Sequence, residues 1–415
     1  MCKYKIIGGK QLYGTIKVSG SKNALLPILA ASCICKDIII LNNIPPLEDT
    51  YAMMEILRYL NVRVIYDNKD KVIIDSRNIK NRVIPLSLTK KLRASYYFIG
   101  ALLSLFNTIK IGIPGGCSFS SRPIDLHLFA FDKIGYAYDI KGDMYSFKKS
   151  GCTNDEIHFS KVSVGATINS ILALVKSKYT FKIYNYAREP EVMDLINFLN
   201  MCGAKIIVND EYIKIEGVEV LSGANYTIID DRIEAQTYLI LGALTSSKLN
   251  VIYKNHNHIS ALCELFNNLG IDLKETNNGF IVRKSKEICA RNLVFDVYPF
   301  LPTDIQPILS LLFTKTKGES VFVDNVYPKR YSQVDELVSM GYNMKFDDNK
   351  LYIRKNASYL NSRVISKDLR GGASLVVAAL LSDKETIVEN VLFIKRGYYN
   401  LVNKLRNVGA NIEEI

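Results

Sequence analysis

The chain has 415 residues, 48% hydrophobic and 23% charged, with 53 Lys and Arg against 41 Asp and Glu, a net charge of +12. That length exceeds a single ordinary core and predicts two domains of a soluble globular protein. The N-terminal Met-Cys-Lys-Tyr-Lys-Ile-Ile alternates like a strand with no signal-peptide core, and runs such as Tyr238–Leu244 are too short to span a bilayer, which points to a cytoplasmic protein with no membrane partner.

The charge suggests an anionic partner. Lys and Arg are spread along the chain without a basic block or interleaved aromatics, so charge alone leaves a polynucleotide and a small phosphorylated substrate both open. The eight cysteines contain no Cys-x-x-Cys, and Cys33-x-Cys35 sits in an apolar helical run, so neither a disulfide framework nor a zinc site is expected. His256-x-His258 lacks a nearby acidic or thiol partner in the sequence and reads as a loop, not a metal site.

Along the chain, helix-period segments end at breakers at Asn61, Gly135, Gly203, Gly270, Gly341 and Gly409, each followed by alternating strands. Gly203–Val208, Asn209-Asp210 and Tyr212–Ile215 form a clear hairpin, and Val62–Ile74, Tyr136–Phe147, Ile271–Val282 and Tyr342–Ile353 repeat it. After Gly409 only one strand remains, and the N-terminal strand Lys3–Gly8 is the obvious missing partner. Each repeat also carries a more uniformly apolar, and therefore buried, helix: Asn23–Ile34, Arg93–Leu105, Val164–Val175, Glu234–Thr245, Asp304–Thr314 and Gly371–Leu381. Six repeats divide into two domains of three: residues 22–229, and residues 1–21 with 230–415, the second closed by the N-terminal strand.

The starts of these helices are unusually polar: Ser19-Gly-Ser-Lys22-Asn23, Lys90-Lys91-Leu-Arg93, Lys161-Val-Ser163-Val164-Gly165, Asp230-Asp231-Arg232-Ile-Glu234, Thr303-Asp304 and Asp368-Leu-Arg370. Strands leaving the helices lead to Arg188-Glu189, Lys329-Arg330 and Lys395-Arg396. If the repeats pack alike, these groups face an interdomain cleft suited to phosphates and carboxylates. Ser and Asp at helix starts also read as plain N-caps, and Arg188-Glu189 as a surface ion pair. The loop Ile113-Pro-Gly-Gly-Cys117 presents one thiol, with Arg122 five residues on to hold an anion or lower the thiol pKa, and Asp125 and His127 beyond.

Ser19–Ala24, Leu92–Ser95, Pro114-Gly-Gly-Cys117 with Arg122–His127, Lys161–Ala166, Ala187–Glu191, Asp231–Glu234, Pro302-Thr-Asp304 and Arg396-Gly-Tyr398 together resemble the UDP-N-acetylglucosamine enolpyruvyl transferases, in order and almost end to end. The resemblance implies an α/β (α+β) fold, a two-domain inverse α/β barrel of six repeats, three per domain. It implies transfer of the enolpyruvyl group of phosphoenolpyruvate to the 3′-hydroxyl of UDP-N-acetylglucosamine, the first committed step of peptidoglycan synthesis, with no metal or organic cofactor and no nucleic acid. Carried over by position, Lys22, Asn23 and Arg122 would bind the phosphate of phosphoenolpyruvate, with Arg330, Arg370 and Arg396 clamping its carboxylate and phosphate. Arg93, the segment Arg122, Pro123, Ile124, Asp125 and Leu126, the segment Lys161, Val162, Ser163 and Val164, and Val326 would hold the UDP-sugar. Asp304 would meet the 3′-hydroxyl as the candidate base, and Cys117 would be the general acid, a role suited to a pKa near the working pH. Pro328-Lys329 stands where relatives usually carry an acidic residue and Asn, and Lys395 replaces a usual Asp. Both changes are expected to add positive charge near the clamp.

The related shikimate-pathway transferases share this fold and anion clamp, but the Cys117 loop and Lys161-Val-Ser-Val-Gly favour the UDP-sugar. A non-catalytic binder of nucleic acid or anionic metabolites is the alternative from a different class.

Overall fold

The computed structural model describes residues 2–115, 124–152, 154–284, 288–356, 358–360 and 362–415. Cys117, Arg122 and Pro123 lie outside them. The chain divides into two compact units, one from Gly20 to Ile229 and one combining the residues up to Ser19 with Asp230–Ile415. Each has its own hydrophobic core.

The polar helix starts are followed by stretches with too few polar residues to give a wet face, and burial is the result. The first unit holds α1 (Lys22–Ala31), α2 (Tyr97–Leu103) and α3 (Val164–Leu174), with α2 packed on both others. The second holds α4 (Arg232–Thr245), α5 (Gln306–Phe313) and α6 (Leu369–Leu381), packed pairwise. In α6 every residue from Arg370 to Leu380 is buried. Each Leu or Val so enclosed contributes about 1.5–3 kcal/mol. Four of the six begin at a side-chain cap: Ser21, Ser163, Asp231 and Asp368 accept backbone N–H bonds from their first turns.

Three sheets go with each helical trio; among the described residues five of the six have four strands built to one plan, and the sheet of Thr108–Gly112 has three, with Ile84 making only an isolated parallel bridge to Ile111. In the third repeat, Glu156–His158 leads into α3, and Thr180–Tyr184 leaves it and pairs parallel with that strand. An outer helix, Pro190–Met201, then runs to Gly203, and the hairpin Lys205–Val208 and Tyr212–Glu216 folds back with its second strand antiparallel to Thr180–Tyr184. The breaker positions explain the regular spacing. Asn61, Gly135, Gly203, Gly270, Gly341 and Gly409 all have positive φ, between 67° and 97°, the left-handed turn that ends a helix and that Gly or Asn tolerates.

The sixth sheet is completed from the far end of the chain. Tyr4–Ile7 lies between Glu385–Glu389 and Asn411–Glu414, antiparallel to both. Lys3 and Ile415 exchange backbone hydrogen bonds of 3.0 Å in each direction.

The edge strands show an exchange where the chain passes from one unit to the other. Leu12–Lys17 runs straight into α1 of the first unit, yet pairs parallel with Ser246–Ile252 of the second. Asn225–Thr227 runs into α4 of the second unit, yet pairs parallel with Ile38–Asn42 of the first. Each unit thus takes one edge strand from the segment that leads into the other unit's helix. The passage at Ser19/Gly20 needs glycine, because a Cβ on Gly20 would stand 1.8 Å from the Asn43 carbonyl oxygen.

Candidate functional site

In the first unit, Lys22 begins α1, where Ser21 Oγ accepts the Ala24 N–H at 3.3 Å and the remaining first-turn N–H groups add positive potential. The Lys22 ammonium lies 3.3 Å from the carboxylate of Asp49, in the first turn of the outer helix Glu48–Tyr59, and both side chains are largely buried. Asn23 beside it is exposed. No sequence spacing singles out Asp49, 27 residues from its partner.

A second cluster joins Arg93 to the start of α3. The Arg93 guanidinium stands 5.6 Å from the centre of the Tyr96 ring, a cation–π distance. Tyr96 meets His127 edge-on at 4.8 Å. His127 is buried, and burial, reinforced by the Arg93 cation, pushes its pKa down to about 3, so the ring is neutral. Asn169 fixes its tautomer: its Oδ1 accepts the Gly100 N–H at 3.0 Å, so its amide nitrogen donates to His127 Nδ1 at 2.9 Å, and the ring proton sits on Nε2. Nε2 and the Tyr96 hydroxyl press against Gly165, where a Cβ would lie 3.0 Å and 2.8 Å from them. Gly165 follows Ser163, which caps α3 by accepting the Ala166 N–H at 3.3 Å, and Val164. Lys161 is exposed, and Val162 is half-buried.

Ile124 and Leu126 turn into the core, while Asp125, first residue of the helix Asp125–Ile134, is exposed. Cys117 follows a segment anchored by the Gly115 N–H, which donates to the Thr89 carbonyl at 3.0 Å.

In the second unit the structure gathers three expected site residues. Asp304 lies in the turn Thr303–Ile305 before α5. One carboxylate oxygen accepts from Arg330 Nη1 at 2.5 Å, and the other from Arg370 Nε and Nη2 at 3.2 and 3.1 Å. Both guanidiniums are buried, an environment that disfavours charge, yet the net shift is upward: Asp304 holds Arg330 charged, and the Tyr398 hydroxyl and Asp304 do so for Arg370. Arg370 is fixed at the backbone as well, because Asp368 caps α6 through the Arg370 and Gly371 N–H groups and accepts the Ser332 hydroxyl. Its guanidinium lies 5.3 Å from the Tyr398 ring, whose hydroxyl is 2.9 Å from that of Thr237. Arg396, half-buried, ends the turn leading to Tyr398. Val326 directs its N–H to Asp324 at 2.9 Å. Tyr96, Asn169 and Asp324 carry no motif of their own in the sequence, whereas Tyr398 closes the Arg396-Gly-Tyr398 motif.

Three expectations change. Lys395 does not add free charge beside Arg396: its ammonium pairs with Glu414 at 2.5 Å, on the strand beside the N-terminus. His256 does have an acidic partner, Glu275 at 2.5 Å, and lies in a 3₁₀ turn, His256–Ile259, because the hairpin folds back over it. Arg188 pairs with Asp210, not Glu189, which is buried. Among the described residues no group of three or more His, Cys, Asp or Glu could hold a metal ion, and no helix is long and apolar enough to cross a membrane.

Comparison with known proteins agrees with this architecture. The family profile of EPSP synthase (3-phosphoshikimate 1-carboxyvinyltransferase) matches residues 6–405. A UDP-N-acetylglucosamine 1-carboxyvinyltransferase from Halothermothrix orenii is 38% identical over 416 residues, and UDP-N-acetylglucosamine 1-carboxyvinyltransferase 2 from Caldanaerobacter subterraneus is 37% identical over 417, each alignment covering 100% of both chains. Among solved structures, the enolpyruvyl transferase NikO from Streptomyces tendae superposes with a TM-score of 0.91 at 22% identity, covering 100% of this chain and 98% of that one. EPSP synthase from Acinetobacter baumannii superposes at 0.76 with 15% identity, covering 100% of both. With the full length matched at this identity, the chain belongs to the UDP-N-acetylglucosamine 1-carboxyvinyltransferase family of enolpyruvyl transferases.

Proposed function

We propose that the protein transfers the enolpyruvyl group of phosphoenolpyruvate to the 3′-hydroxyl of UDP-N-acetylglucosamine and releases phosphate, the first committed step of peptidoglycan synthesis. The observation that carries this reading is the Asp304 carboxylate held between two buried guanidiniums, Arg330 and Arg370, at the mouth of a helix. Relatives matched over their whole length bear the name of this activity.

On this reading Asp304 takes the proton of the sugar hydroxyl as its oxygen bonds to C2 of phosphoenolpyruvate. The Cys117 thiol delivers a proton to C3, and the double bond becomes a tetrahedral adduct carrying both phosphate and carboxylate. Loss of a C3 proton and of phosphate restores the vinyl group. Lys22, Asn23 and Arg122 hold the phosphate, and Arg330, Arg370 and Arg396 hold the carboxylate and phosphate, so fixed cations meet charge that develops along the path. Arg93, the segment 122–126, the segment 161–164 and Val326 hold the nucleotide sugar. The neutral His127 packs beneath the Ser163–Gly165 turn without bringing a second full charge there. As a thiolate, Cys117 is the group fosfomycin would alkylate. The basic excess then serves phosphorylated small molecules, and the protein works in the cytoplasm without nucleic acid or membrane partners.

The test is phosphate release with each acceptor. Turnover with UDP-N-acetylglucosamine and none with shikimate 3-phosphate is expected, and the reverse pattern would overturn the assignment.

A further inference from the structure

Asp324, which accepts the Val326 N–H, ends the strand Glu319–Asp324 and is 1% exposed, and it is not among the groups assigned to either substrate. One carboxylate oxygen accepts the backbone N–H of Val326 at 2.9 Å and of Tyr327 at 2.8 Å, which bends the chain into a tight turn. The other accepts the Thr303 hydroxyl at 2.5 Å. Thr303 Oγ1 in turn accepts from Arg330 Nη1 at 3.3 Å, the same nitrogen that donates to Asp304. The Arg330 guanidinium also stands 5.8 Å from the Tyr327 ring, so the turn is tied to the arginine from both sides.

We propose that Asp324 is a positioning residue for the acceptor: one buried carboxylate sets the placement of both second-unit groups assigned to the nucleotide sugar, Val326 and Asp304. The claim rests on the site reading above. Val326 belongs to the turn whose backbone Asp324 holds. Asp304 follows Thr303 directly, and Asp324 holds the Thr303 side chain. The residue type follows from the arrangement. Only an acceptor with two well-separated oxygens can take two amides on one side and a hydroxyl on the other. Asparagine keeps the amide side and puts an N–H against the Thr303 hydroxyl, which then receives donors from both directions.

Steady-state kinetics on Thr303→Val, Thr303→Ser and Asp324→Asn test this, with Asp304→Ala alongside. Thr303→Val removes the hydroxyl at constant shape, and it should raise the KM for UDP-N-acetylglucosamine about tenfold while the KM for phosphoenolpyruvate moves less than about threefold. Thr303→Ser should restore the wild-type value. Asp324→Asn should shift the same parameter, and combining it with Thr303→Val should add little, because both break one link. An unchanged acceptor KM in Thr303→Val, or equal losses for both substrates without rescue by Ser, would overturn the proposal. Full activity in Asp304→Ala would sink the site reading, and the positioning claim with it. Impairment in Asp304→Ala alone would reject the positioning claim and leave the site reading standing.

Discussion

Replacing Asp304 with Asn keeps the shape and one acceptor oxygen but removes the charge between two cations. Arg330 and Arg370 are 5% and 2% exposed, so neither can recover hydration without unfolding its surroundings, while Asp304 itself is 24% exposed. Breaking a fully buried pair costs about 3–5 kcal/mol, and the partial exposure of Asp304 reduces this to about 2–4 kcal/mol. For a unit of this size each kcal/mol moves the melting midpoint by about 2–4 °C, so the transition of the second unit should fall by about 4–16 °C. The first unit, with its separate core, should melt where it did, and calorimetry at pH 7 would resolve the two transitions. Turnover measured well below the lowered midpoint reports the chemical role separately, with an expected loss of about 10²–10⁴-fold for a removed base. Superimposable melting curves would refute the electrostatic argument, and an unchanged kcat in a folded variant would refute the base assignment.

Acid stability should depend on His127. Its folded pKa of about 3 lies below the ordinary 6.5, so the unfolded chain binds the extra proton, and the contribution is complete above pH 6.5 and is lost as pH falls toward 3. Between pH 7 and pH 5 this amounts to about 2 kcal/mol, and urea unfolding of His127→Phe should show that much less acid loss than wild type. Equal losses in the two proteins would count against a buried neutral ring. Asp194, pushed up to about 6 by burial, works with the opposite sign, its contribution being lost as pH rises from about 4 to 6, but it is common to both proteins and cancels. Lys395→Ala should change the KM for phosphoenolpyruvate by less than about threefold, because its ammonium is engaged by Glu414 in a part-exposed pair; a tenfold rise would return Lys395 to the anion clamp. Cys117→Ser should lower kcat by at least about 10²-fold, and a fully active serine variant would remove the thiol from the acid role.

The repeat was legible because its marks are local. A left-handed turn after a helix demands Gly or Asn at one position, and six such positions recur at nearly equal steps from Asn61 to Gly409. The buried helices announce themselves by having no polar face, and their caps by Ser or Asp before the first turn. The partner of a charged group carries no comparable mark. Lys22 meets Asp49, and Asp304 meets Arg330 and Arg370 at separations of 26 and 66 residues, because sheet and helix packing bring them together and no local rule relates them. Lys395 shows the converse: beside Arg396 in sequence, it turns away to a strand that only the fold brings near.

The sequence by itself determined how many times the unit repeats, which segments form the buried helices, and which polar residues stand near the helix starts, since backbone conformation and burial pattern are properties of short segments. Tertiary structure alone decided that Leu12–Lys17 would pair parallel with Ser246–Ile252 and Asn225–Thr227 with Ile38–Asn42, and that Asp304 would stand between two arginines. The physical reason is that a parallel edge is held by backbone bonds, which any alternating strand can make, and a buried ion pair by proximity in space, so neither choice leaves a trace in the residues that make it.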